Sequence, residues 1–245
     1  MAADRTSPSP DRTDDENVVA VSALADGLRR RMYGFTRRAH RPVTREEAAS
    51  DAGVSVKLAA FHLDKLVAAG LLRTRYENPG GLRRVGRKPK VYEPTDAHFR
   101  VSIPERRPDM LAEILVDAVL TGEPGEDARA AALRSAQRRG HDLGAAERAR
   151  TRPGRLGPER AVTLSESALE RCGFEPQRRG RTGLRLLNCP FHPLAARSPE
   201  LVCAVNHAYL DGFLTGLEAP RTEAVLAPGP GRCCVELRAV PPDPP

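Results

Sequence analysis

From residue 18 onward the chain alternates between segments of helical and strand-like periodicity, separated by short Gly- and Pro-bearing breaks. Val21, Leu24, Leu28, Met32 and Phe35 recur at intervals of three and four, which predicts one helix over residues 18–38 ended by Pro42. Thr44-Arg45-Glu46-Glu47 has the form of a capping box, in which the Thr44 hydroxyl and the Glu47 carboxylate each satisfy the other residue's backbone N–H. The helix it opens is short, to about Asp51; Gly53 supplies a tight turn, and Ser55 caps a third helix to about Ala69, closed by Gly70. Residues 71–76 and 90–93 read as two strands, and ENPGGLRRVGRKP between them reads as a long hairpin loop.

Beyond Pro108 the pattern changes. Residues 110–120 carry an apolar face of Leu111, Ile114, Leu115, Ala118 and Val119, followed by the linker TGEPGED, whose Asp127 is suited to cap a long Ala/Arg-rich helix over 128–150. Then follow a helix over 159–171, a strand over 184–187, a helix over 199–217 and short strands near 224–226 and 233–237. Residues 1–17 are rich in Ser, Pro, Asp and Arg and predict a disordered tail. The expected architecture is mainly α with small β. It comprises an N-terminal winged helix-turn-helix domain over 18–100, a dimerisation helix or linker over 104–123, and a C-terminal α+β sensor domain over 124–240.

Charge sharpens this division. The chain of 245 residues carries a net +7, yet residues 27–93 alone hold 16 basic against 6 acidic side chains, +10, so the remainder is slightly acidic. A basic block on an otherwise acidic chain points to nucleic acid as its partner. On the third helix Val54, Ala59, Leu63 and Leu66 form the inward face, leaving Val56, Lys57, Ala60, Phe61, Asp64 and Lys65 outward, where a recognition helix meets the major groove. Lys57 and Lys65 suit phosphates or guanine edges, and Phe61 suits a thymine methyl. Arg83, Arg84, Arg87, Lys88 and Lys90 in the hairpin suit phosphates or the minor groove, and Thr44 and Ser55 at the helix starts complete the expected contact set. His62, beside Leu63, reads as a buried, hydrogen-bonded structural residue.

All 5 cysteines, Cys172, Cys189, Cys203, Cys233 and Cys234, lie in the last third. With no apolar h-region at the N-terminus and no apolar run near ~20 residues, reduced thiols in a cytoplasmic protein are expected. Thirteen residues separate Cys189 from Cys203 and twenty-nine separate Cys203 from Cys233; thiolates are soft ligands for iron–sulphur clusters, Zn²⁺ or Cu(I). His192 is three residues from Cys189, and His207 lies one helical turn from Cys203. If Cys233 and Cys234 open a strand, alternation turns only one inward, and Cys233 is the choice. An enzyme with Cys189 or Cys203 as nucleophile, His192 or His207 as base and Asn188 or Asn206 to orient it would leave the basic half without a role. A nucleotide P-loop and a zinc-deaminase pattern are both absent, and no catalytic residues are assigned.

The segment GVSVKLAAFHLDKLVAAGLLRTRYENPGGLRRVGRKPKVYEPT resembles the winged-helix domain of ArsR/DeoR-type bacterial regulators, a likeness extending over about residues 20–97. The resemblance implies a transcriptional regulator that reads a roughly palindromic operator in double-stranded DNA as a homodimer. The cysteine half is similar to the sensor domain of the SufR-type iron–sulphur-sensing branch, which carries three widely spaced cysteines, a short gap followed by a long one. That implies a [4Fe-4S] or [2Fe-2S] cluster on Cys189, Cys203 and Cys233, with a fourth ligand drawn from His192, His207, Cys234 and Cys172, and cluster-dependent operator affinity. A structural zinc, or a small-molecule pocket in the same domain, is the alternative.

Overall fold

The computed structural model describes residues 14–77 and 88–240. The chain divides into two compact units, residues 1–101 and 102–245.

The first unit contains α1 (Asp14–Ala23), α2 (Gly27–Ala39), β1 (Val43–Thr44), α3 (Arg45–Ala52), α4 (Val56–Ala68), β2 (Leu72–Tyr76) and β3 (Lys90–Pro94). The single first helix expected from its periodicity is two helices. Asp26 caps α2 by accepting the Arg29 N–H at 2.9 Å, and that local bond closes a new helix start inside the apolar repeat. Residues 14–17, expected in the disordered tail, begin α1. The capping box forms: Thr44 Oγ1 accepts the Glu47 N–H at 3.2 Å, while Glu47 Oε2 accepts the Thr44 N–H at 2.8 Å. Gly53 (φ +68°) makes the left-handed turn between α3 and α4. Met32, Val43, Ala59, Leu63, Leu66, Leu71, Leu72 and Tyr92 form the core beneath a three-stranded antiparallel sheet of order β1-β3-β2. Its register runs from Leu72 opposite Pro94 to Tyr76 opposite Lys90.

The second unit holds α5 (Pro108–Leu120), α6 (Ala128–Thr151), α7 (Pro158–Glu170), β4 (Pro176–Arg179), β5 (Gly183–Leu186), α8 (Leu194–Arg197), α9 (Pro199–Gly216), β6 (Thr222–Leu226) and β7 (Val235–Ala239). β4 and α8 were not expected from the pattern: β4 is polar and mostly exposed, and α8 is a single turn. The sheet is antiparallel with order β4-β5-β7-β6. The segment expected as a dimerisation helix or linker, residues 104–123, contains α5, which packs on the second unit. Leu111, Ile114 and Ala118 of α5 are buried in the same core as α6 and α9, and Arg139 of α6 hydrogen-bonds Asp117 at 3.3 Å and also Glu113. Leu115 and Val119, assigned to the same apolar face from the sequence, lie outside that core. With Val116 and Leu120 they form an exposed stripe, Val119 being 84% exposed.

α6 and α9 cross with their backbones in near-contact, through Gly140 and Gly144 on one helix and Gly212 and Gly216 on the other. A Cβ on Gly140 would lie 1.9 Å from the Tyr209 carbonyl oxygen, and one on Gly212 would lie 2.0 Å from that of Gln137. Each helix carries G-x-x-x-G, which puts two Cβ-less positions on one face a turn apart. The crossing fixes α9, and with it Cys203, Asn206 and His207.

Candidate functional site

In the first unit α4 presents the expected outward face. Val56, Lys57, Phe61, Asp64 and Lys65 are exposed, Ala60 is half-buried, and Ala59, Leu63 and Leu66 are sealed in the core. Phe61, an aromatic ring 54% exposed, has Lys65 Nζ 5.7 Å from its ring centroid. Such a ring with an ammonium group beside it combines apolar contact with charge, the pairing that a base edge beside a phosphate calls for. Ser55 caps α4 by accepting the Leu58 N–H at 3.3 Å, as Thr44 caps α3. Both hydroxyls thus spend acceptor capacity on the fold.

Lys90 is committed elsewhere: its Nζ donates to Asp64 at 2.6 Å, and the Tyr92 hydroxyl donates to the same carboxylate at 3.0 Å. This bond pins strand β3 to α4, and it raises the Lys90 pKa, with the Asp64 hydrogen bond as the main cause. The role of Asp64 as the tether was not visible in sequence because the partners are separated by 26 and 28 residues. Lys88 is exposed. Arg83, Arg84 and Arg87 lie outside the described residues. His62 is buried edge-on to Phe61, with ring centroids 5.3 Å apart, but its Nδ1 has no hydrogen-bond partner, so the expected bonding of that nitrogen is absent. Packing against Phe61 and the core holds the ring.

In the second unit four of the five cysteines converge. Cys189, Cys203, Cys233 and Cys234 lie near enough to shift one another's ionisation, Cys189 with Cys233 and Cys203 with Cys234. Cys189 follows β5 in a turn, and its carbonyl accepts Arg106 Nη1 at 2.9 Å. Cys203 is on the second turn of α9. Cys233 and Cys234 immediately precede β7, and burial already alternates there: Cys233 is buried and Cys234 half-buried, as the expected alternation has it. Cys233 is buried and accepts Asn206 Nδ2 at 3.0 Å, while Asn206 Oδ1 is buried without a partner.

The contacts push thiol pKa values upward. Cys189 is raised strongly by its bond to Cys233 and by burial; Cys203 is raised by burial. At Cys233 the Cys189 bond pulls downward, but Cys234 and burial prevail and leave it at about 12. A nucleophilic cysteine needs the opposite shift. The catalytic partners considered for an enzyme are also engaged differently: Asn188 binds Gly173 O and the Glu175 N–H, His207 Nε2 faces Ala224 O at 3.0 Å, and His192 is exposed. Cys172 stands apart, near the Tyr209 hydroxyl at 3.8 Å and the charges of Arg107, Arg171 and Glu105. Among the described residues, no group of three or more His, Cys, Asp or Glu side chains is spaced as a ready-made ion site. Thiols are soft donors; Cys233 is buried, and Cys189, Cys203 and Cys234 are half-buried.

Among the described residues no helix is long and apolar enough to cross a membrane. No curated protein and no solved structure matches the chain. Residues 24–75, from the loop before α2 to the end of β2, match the family model of a helix-turn-helix domain, so the segment that exposes Lys57, Phe61 and Lys65 is a helix-turn-helix.

Proposed function

We propose that this protein is a DNA-binding transcriptional regulator, a homodimer that reads a roughly palindromic operator with α4 and reports the state of a metal centre held by its second unit. The observation that carries the DNA reading is the exposed Lys57, Phe61 and Lys65 face on a helix held rigid by Ser55, Gly53 and the Asp64–Lys90 tether. In the major groove Lys57 and Phe61 read base edges, while Lys65 and the wing arginines Arg83, Arg84 and Arg87 neutralise phosphate.

The dimer reading rests on α5. Its buried face satisfies the second unit, and Leu115, Val116, Val119 and Leu120 remain as a second apolar stripe that pairs with the same stripe of another copy. One helix-turn-helix reads few bases, so two half-sites multiply specificity.

For the second unit we read Cys189, Cys203 and Cys233 as ligands of an iron–sulphur cluster. The convergence of these thiols from a turn, a helix and a pre-strand loop supports that reading. A cluster there supplies redox sensitivity; a zinc ion on the same sulphurs supplies structure alone. The chain's own route from site to dimer runs from Cys203 on α9 across the glycine crossing to α6, and through Arg139 to α5. A coupling of about 1–3 kcal/mol along it is enough to change operator occupancy.

The test is DNA affinity as a function of salt. R83A/R84A/R87A should weaken binding to every duplex and flatten the log–log salt slope by about 3. K57A and F61A should instead change preference between sequences. Unchanged affinity after all of these substitutions would refute the DNA reading. Anaerobic isolation then tests the sensor: a colourless protein with stoichiometric zinc, no iron and equal DNA affinity before and after oxidation leaves only the structural-metal role.

A further inference from the structure

A cavity of about 380 Å³ lies where the end of α9 meets the start of β6. That is the lower end of the size range of small-molecule sites, about 300–1,000 Å³. Asp211 and Leu214 line it from one face of α9, Glu218 and Ala219 from the turn that follows, and Thr222 from the strand. Leu214 and Ala219 are buried and give it apolar walls. Thr222 is inward on β6, in phase with the buried Ala224, and on the side where His207 of α9 meets the Ala224 carbonyl. It is 6% exposed, and its Oγ1 is buried with no hydrogen-bond partner. Folded proteins rarely leave a buried hydroxyl unpaired unless water or a ligand completes it.

The charge around this cavity is negative. Glu218 is answered by Arg148, whose Nη2 stands 2.8 Å from Oε2. Asp211 has a neutral donor, Gln137 Nε2 at 3.2 Å, and among the described residues no cation pairs with it. α9 has no basic side chain in its last turn, so the partial negative charge of its C-terminal carbonyls adds to that of Asp211. One uncompensated carboxylate beside apolar walls suits a single positive charge carried on an apolar body. A hydrated metal ion would gain nothing from Leu214 and Ala219, whereas an ammonium supplies only donors, which a carboxylate accepts. We propose that this cavity binds a small organic monocation, an amine with an apolar body, whose ammonium pairs with Asp211 and whose binding gives the Thr222 hydroxyl its partner. The site needs neither the cysteines nor the DNA-binding face of α4, so it stands or falls apart from both.

Phenethylamine, cyclohexylamine and isopentylamine are the probes, set against phenethyl alcohol and 3-phenylpropionate, which keep an apolar body and change the charge. Full-length wild type is titrated to millimolar concentration by calorimetry and by NMR of the amide signals of residues 211–222. D211N, T222V and the control E159Q, which removes the same charge from the surface of α7, are titrated beside it. Asparagine keeps an acceptor for Gln137 and valine matches the shape of threonine, so both variants keep the fold, which circular dichroism checks. The expected result is saturable binding of the amines at one site, with the shifted amides centred on 211–222. D211N should lower amine affinity about tenfold and T222V about threefold, while E159Q leaves it unchanged. A hydroxyl with no ligand to meet behaves differently: T222V would then raise the melting temperature and leave amine binding as it was, which removes Thr222 from the site. If the alcohol binds as tightly as the amine, or D211N binds as wild type does, the pairing with Asp211 is refuted. If no amine moves those amides at millimolar concentration, the cavity is a solvated groove and the inference falls.

Discussion

Glu147 of α6 has a side chain only 3% exposed, yet it is a carboxylate. It persists because two arginines close on it: Arg150 Nη2 donates at 2.5 Å and Arg171 Nη2 at 2.7 Å, the second from just beyond α7. A buried charge that loses its compensation is costly, although here the arginines are half-exposed and water weakens the pairing. E147Q should therefore lower unfolding stability by about 1–3 kcal/mol, read as a shifted urea midpoint. The exposed pair Glu159–Arg181 is the control, and E159Q should leave the midpoint in place. Equal midpoints for wild type and E147Q would show that the buried carboxylate contributes nothing. Neither outcome is legible in sequence, where Glu147 is one acid among Ala and Arg; only the return of Arg171, 24 residues later, gives it a role.

The pairing of α6 with α9 is decided at the scale of the element. Dispersion between helices rises steeply as backbones approach, and four glycines allow an approach that any Cβ forbids. G140A and G212A should each separate the helices and destabilise the second unit by about 1–3 kcal/mol or more, with loss of any metal bound through Cys203. At Gly27, where a Cβ meets nothing within 4 Å, alanine should cost nothing. Thermal melts of the three variants check this, and an unshifted G140A would contradict the close crossing. The two G-x-x-x-G repeats stand in the sequence and were the available signal. They escape a reading based on hydrophobic periodicity because glycine adds no apolar side chain to a helix face. The opposite case is α4, whose Ser55 cap, Gly53 turn and core stripe are local features and were read correctly from residue order alone.

For the whole molecule, the α5 stripe decides whether one chain is enough. V119E, or L115E with L120E, places charge on a surface that faces solvent in one copy, so the single chain keeps its fold while the proposed interface is lost. Light scattering at micromolar concentration should give a dimeric mass for wild type and a monomeric mass for V119E, with weaker binding to a palindrome than to a half-site pair would predict. A monomeric wild type would remove the dimer reading.

Residue order by itself determined what depends on neighbours along the chain: the capping box at Thr44, the helix-turn-helix punctuation, the wing strands and the concentration of positive charge in residues 27–93. These arise from hydrogen bonds and periodicities spanning a few residues, so they are written locally. Tertiary structure alone decided that α5 belongs to the second core, that Lys90 is tethered to Asp64 and that Asn206 donates to Cys233. Each of those contacts brings together groups tens of residues apart. Their energy is realised only when the intervening chain has folded, and no local pattern encodes the distance across which they meet.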